Sequence, residues 1–400
     1  MNLLKNPRLF LPIACLALGL FASCNSSPID PPGALVPTVL DCAFFSANDD
    51  ITLENNRDLA VDYIIDCRAN INGNLVIQPG VTIEFTEDGG LNIRDEGSIS
   101  AVGTEDSPIL MTAENKIPGF WSGIQVESNS VVNQLEYVII SYAGGEAFNS
   151  NDNRGNLIFW PDCRLSVDHC TFTNSGSNGV YINDRVEIPS FADNEITDNE
   201  VPIYMFASEW DALGTGNDLT GNTNDYINTV IAEMPTGSHT VKNMGIPYRI
   251  QAGSFGIFRE ITLPSGADVL VEPGVTMEFT DDTGLRTNGG SSFRAVGSES
   301  MPITFTGVNK IAGAWKGLHF RFSTSPNNIL ENVRIEFAGS DGDTDAAIFM
   351  WADPVLTVNN SEIYDIDGCA FTSGTGGQTN PNLSFSDVDV QRVTGETECF

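Results

Sequence analysis

Residues 78–93 read QPGVTIEFTEDGGLNI, and residues 272–287 read EPGVTMEFTDDTGLRT. The second stretch restates the first 194 residues later. In the first, Val81, Ile83 and Phe85 alternate with Thr82, Glu84 and Thr86. One face is therefore apolar and the other polar, the pattern of a half-buried β-strand. Pro79-Gly80 before it and the Asp/Gly cluster after it are turn formers.

The likeness spreads outward from these stretches. Residues 74–128 set against 268–322 give 24 identical pairs in 55 positions, far above chance. Such self-similarity predicts an internal duplication of about 194 residues. With a one-residue adjustment, LEYVIISYAG (135–144) answers LENVRIEFAG (330–339), and further on IFWPD (158–162) answers FMWAD (349–353). Short strand-like segments recur throughout, separated by short gaps rich in Gly, Asn, Asp and Ser. Residues 202–213 are the single weak helix candidate. Strands at this density suit a sandwich, a propeller or a solenoid. Their serial likeness favours the solenoid, with Asn and Asp at strand ends bonding from rung to rung.

The recurring text includes Leu75, Ile77, Pro79, Gly80, Phe85, Ala101, Gly103, Pro108, Ile109, Thr112, Trp121, Gly123 and Ile124. On these residues the chain resembles right-handed parallel β-helix repeat lipoproteins of the Bacteroidetes type, over roughly residues 57–395. The resemblance implies an all-β fold, a right-handed parallel β-helix. The expected organisation is a signal peptide (1–23), a flexible tether (24–40), a first β-helix unit (41–240) and a second (241–400). Phe85, Phe279, Val81, Ile83, Val275 and Met277 are expected inside the coil. Trp121 and Trp315 are expected to pack in the core or at a corner.

Export is written at the N-terminus. Lys5 and Arg8 precede an apolar run that ends in Phe21-Ala22-Ser23-Cys24. That ending resembles the lipobox of bacterial lipoproteins, with Phe21 departing from the usual Leu. It implies lipid on Cys24, attachment to the membrane through that lipid only, and a place in the cell envelope, on the surface or periplasmic side of the outer membrane. Removing residues 1–23 takes two of the 19 basic residues and none of the 53 acidic ones. So acidic a chain repels nucleic acid and anionic headgroups. Beyond Cys15 and Cys24, six cysteines remain, an even number that suits disulfides in an exported chain. Sequence order favours Cys42–Cys67 and Cys369–Cys399.

Three places could carry chemistry. VDHCTF (167–172) resembles a stretch of the pectate lyases, which are also β-helical, but their arginine-rich signature is absent. Asp168-His169 therefore reads as a coil corner. Asp341, Asp343 and Asp345 alternate on an acidic loop and could converge on calcium. Trp160 with Asp162, and Trp351 with Asp353, offer ring and carboxylate together, as a sugar platform does. The expected function is a non-catalytic envelope scaffold binding a neutral glycan or a protein partner. A polysaccharide lyase or hydrolase working on the flank, and a structural spacer or adhesin module, stay open beside it.

Overall fold

The computed structural model describes residues 35–149, 152–253, 258–340, 342, 345–374 and 379–400. Residues 36–400 form one compact unit. The expected signal peptide, Cys24, most of the expected tether, Asp341 and Asp343 lie outside the described residues. The unit is an all-β parallel solenoid of about 13 turns.

Each early turn lays down one strand on each of three ladders. The first ladder runs Asp50–Leu53, Asn74–Ile77, Ser98–Val102, Gln134–Glu136, Ser166–Asp168 and Phe191–Ala192. The second runs from Thr38–Leu40 through Tyr63–Ile65, Thr82–Phe85, Ile109–Ala113, Val138–Ser141 and Thr171–Thr173 to Glu195–Thr197. The third begins with Arg68–Ile71, Gly90–Ile93, Gly123–Val126, Gly155–Phe159, Asn178–Ile182 and Val201–Phe206. All these pairings are parallel, as expected when one coil stacks on the next.

The third ladder does not stop there. Val201–Phe206 pairs with Ile227–Val230, then Tyr248–Gln251, then Thr276–Phe279. Pairing thus passes residue 240 without a break. It also shifts the phase of the text. Thr82–Phe85 lies on the second ladder, whereas its sequence counterpart Thr276–Phe279 continues the third. Two further ladders flank it there. One holds Gly237–Val241, Ala267–Val271, Ser292–Val296 and Ile329–Glu331. The other holds Glu260–Leu263, Gly284–Thr287, Leu318–Arg321, Ala346–Trp351 and Cys369–Ser373.

Alternation fixes which side chains face inward. Val81, Ile83, Phe85, Val275, Met277 and Phe279 are all buried in the core. Phe85 lies flat on Trp121 with ring centroids 3.8 Å apart, and Phe279 on Trp315 at 4.2 Å. Each indole N–H donates to a backbone carbonyl, of Ser141 and Glu336 respectively. The buried polar end of each ring is thereby satisfied.

Corners follow from single left-handed residues. Tyr137, His169 and Asp193 stack at one corner with φ of 50°, 53° and 55°. Asn332, Asn360 and Asp387 mark a corner further along. Asn and Asp tolerate this region better than other non-glycine residues. Buried asparagines close the exposed backbone groups beside the bends. Asn194 Nδ2 donates to Val167 O and to Asn217 Oδ1, both at 3.0 Å. Asn199 and Asn222 repeat the arrangement one corner on.

The first turn is covered by the helix Cys42–Ala47, whose N-cap Asp41 accepts from Phe44 N–H at 2.7 Å. Phe45 is buried beneath it, and a Cys42–Cys67 disulfide ties the helix to the adjoining strand. A Cys369–Cys399 disulfide holds the last strand, Glu398–Cys399. Cys163 and Cys170 are free thiols filling the core, so the even cysteine count overstates the disulfide framework. The 202–213 segment is divided between the end of the strand Val201–Phe206 and one short helix. Only Ala207–Ala212 forms a 3₁₀ helix, which buries Trp210.

Candidate functional site: the outer face of the long ladder

Outward-facing side chains on the third ladder form one column, set by register. From Asn70 it passes through Asn92, Gln125, Ile158, Tyr181, Tyr204, Asn228 and Arg249 to Glu278. Successive members stand about 4.8 Å apart, the strand spacing. The start of the column is an amide chain. Asn92 Nδ2 donates to Asn70 Oδ1 at 3.3 Å, and Gln125 Nε2 to Asn92 Oδ1 at 3.4 Å.

Its middle is aromatic. Tyr181 and Tyr204 stack at 4.3 Å with planes 17° apart, and Phe206 meets Tyr204 edge-on at 6.5 Å. Tyr181 is nearly buried, while Tyr204 and Phe206 stay half-exposed. Burial pushes the Tyr181 hydroxyl well above the ordinary range, and Tyr204 shifts the same way. Both rings are therefore neutral; the Tyr181 hydroxyl hydrogen-bonds to that of Tyr204, which leaves the Tyr204 O–H to donate outward. Asn228, next in the column, carries a buried Oδ1 with no hydrogen-bond partner. Beyond it Arg249 pairs with Glu278 at 2.7 Å and lies over the Tyr226 ring at 3.7 Å. Rings, an amide and a neutralised ion pair thus share one flank.

The sequence-named residues fall differently. Trp160 follows Gly155–Phe159 on the same strand as Ile158 and is half-exposed, at the edge of the aromatic column. Asp162 is turned away at a left-handed residue and held by Arg185 through two contacts of 3.1 Å. The Arg185 hydrogen bonds lower its pKa. Trp351 ends Ala346–Trp351 on another ladder, with 42 % of its surface exposed. Asp353 is exposed and left-handed, and its carbonyl accepts from Asn382 Nδ2 at 2.8 Å. The two tryptophans thus stand on different ladders, each with its own surroundings. Of the acidic loop, Asp345 is described; its N–H donates to Gly342 O at 3.1 Å. No group of three or more His, Cys, Asp or Glu among the described residues could hold a metal ion.

Asp168-His169 is engaged in structure. Asp168 Oδ1 accepts from Ser190 Oγ at 2.6 Å and Ala192 N–H at 3.0 Å. His169 stacks on Tyr137 at 4.7 Å. Sequence reading missed Tyr181 and Tyr204. Their signal was present, because VYI (180–182) and IYM (203–205) repeat one coil length apart.

A family described as "Pectate-lyase like beta helix domain" matches residues 46–160. No curated protein and no solved structure matches the chain. The match covers the early turns and agrees with the parallel β-helix seen there; it bears on fold and names no ligand.

Proposed function

We propose that this protein is a non-catalytic β-helix, lipid-anchored in the cell envelope, that binds a neutral glycan along the outer face of its long ladder. One observation carries the reading: the outward Tyr181–Tyr204 stack, followed in register by an unpartnered Asn228 Oδ1. A sugar's C–H face packs on such rings, and its hydroxyls need the donors and acceptors beside them. Buried polar groups without partners are costly, so a ligand hydroxyl at Asn228 removes a standing penalty. Rungs about 4.8 Å apart approach the length of one pyranose, so a chain laid along the axis passes from Tyr204 to Asn228 within one unit. The strongly acidic chain favours neutral over polyanionic glycans. A flank enzyme would need a poised acid and base, and Asp168 is saturated by structural hydrogen bonds.

Immobilised neutral oligosaccharides should retain the wild-type protein and release Tyr204→Ala. Equal retention of both proteins, or retention of neither, would overturn the reading.

A further inference from the structure

The ladder that carries Trp351 has a second polar assembly on its outer face, and unlike the first it is charged. Register sets Thr262 beside Arg286, Arg286 beside His319, His319 beside Phe349, and Arg321 beside Trp351. Leu285, Leu318, Phe320, Ile348 and Met350 point into the core, so the alternate residues face outward. Outward groups of this kind are normally wet. Here the His319 side chain has no exposure at all, and Glu260 only 12 %. Phe349 closes over His319 edge-on, with centroids 5.3 Å apart.

Glu260 is the hub. One carboxylate oxygen lies 2.6 Å from His319 Nδ1, and the other 3.2 Å from Arg286 Nη1. Burial alone would raise the Glu260 pKa. His319, Arg286 and Arg321 outweigh it and hold the carboxyl below its usual value. A single ionised carboxylate thus faces two guanidinium groups, leaving positive charge in excess. The hydrogen-bond balance leans the same way. Arg286 Nε and Arg321 Nε are buried donors without an acceptor, and His319 Nε2 is buried without a hydrogen-bond partner, while the close His319 Nδ1–Glu260 Oε1 pair falls short of hydrogen-bond geometry. Burying an unbalanced charge is expensive, and orphaned donors on charged groups cost more than neutral ones. An anion with several acceptor atoms resolves both shortages at once.

We propose that this face is a binding site for a small oxyanion, a carboxylate or a tetrahedral anion, bound by Arg286 and Arg321 beside the buried His319 ring. Planar guanidinium forks match such oxygen pairs. Trp351, exposed and in register with Arg321, gives the rest of the ligand a ring to pack on. The site is independent of the tyrosine flank, both in ladder and in ligand charge.

The test uses the intact chain at constant ionic strength. Thermal unfolding is followed as acetate, phosphate or sulfate replaces chloride. At least one oxyanion should raise the melting temperature saturably, and Arg321→Gln should weaken that binding tenfold or more. Arg57→Gln, an exposed arginine elsewhere, should leave it unchanged. Should Arg321→Gln fold poorly, Arg321→Lys serves, keeping the charge and losing the fork; it too should bind more weakly. The His319 ring-nitrogen resonances should move with the same saturation curve. No saturable oxyanion effect, or one equally weakened by Arg57→Gln, would overturn the proposal. Competition by a neutral oligosaccharide would also overturn it, since the two sites would then be one.

Discussion

Phe85 and Phe279 hold the same place in a repeated stretch of text, and each lies flat on a tryptophan, yet they stand on different ladders. Phe85 pairs in register with Ile65 and Ala113, and Phe279 with Ile250 and Gly307. Local packing is therefore a property of the text, whereas the face it occupies depends on the number of strands laid down between. Both rings are fully buried, so Phe85→Ala and Phe279→Ala should each cost about 3–5 kcal/mol. Thr82→Ala, on the outer side of the same strand, should cost well under that. Chemical denaturation of the three variants checks the register. A larger loss at Thr82 than at Phe85 would reverse inside and outside.

The free thiols set a limit on alkaline stability. Burial pushes Cys163 and Cys170 up to about 12 from an ordinary 9.0. Unfolded, they ionise near 9; folded, they keep their protons to about 12. Above pH 9 the unfolded chain therefore binds fewer protons than the folded one, and stability falls as pH rises. Cys163→Ala/Cys170→Ala should flatten the fall between pH 9 and 12. Iodoacetamide at pH 9 should label neither thiol before unfolding.

Glu260 gives the opposite slope at the acid end. Its folded pKa lies below the ordinary value, so its contribution is present above that value and is lost as pH falls through the folded one. Unfolding midpoints of wild type and Glu260→Gln should converge as acid is added. A constant gap down to low pH would mean that Glu260 is not ionised in the native state.

The two disulfides close loops at each end, with sequence separations of 25 and 30. Chain-entropy reasoning gives about 3–4 kcal/mol for loops of this length. Reduction should lower the melting temperature, and Cys369→Ser/Cys399→Ser should loosen the last strand first. Hydrogen exchange at Phe371 and Thr372, which pair with that strand, reads this out.

Much of the fold could be read from alternation and turn residues alone. Val81, Ile83 and Phe85 declared an inner face, and the asparagines at strand ends closed the corners they suggested. The change of phase between the repeated texts was not legible. It arises where residues 207–241 bring a 3₁₀ helix, add Ile227–Val230 to the third ladder and begin another with Gly237–Val241, and strand text does not say which ladder it will join. The tryptophans show the same separation. Trp160 and Trp351 match in sequence, but one belongs to the long ladder and the other to the ladder of Arg286 and His319. Tyr181 and Tyr204 become a pair only when one coil is stacked on the next, and the Glu260–His319 contact spans 59 residues of chain.

The central claim is that the outward tyrosine pair is a glycan surface, and calorimetry tests it most directly. A neutral oligosaccharide retained by the wild-type protein is titrated into wild type, Tyr204→Ala and Tyr204→Phe. The account predicts heat from the wild type, loss of at least tenfold in affinity for Tyr204→Ala, and a smaller loss for Tyr204→Phe, which keeps the ring and drops the hydroxyl. Wild-type affinity in Tyr204→Ala, with its fold intact by circular dichroism, would contradict it.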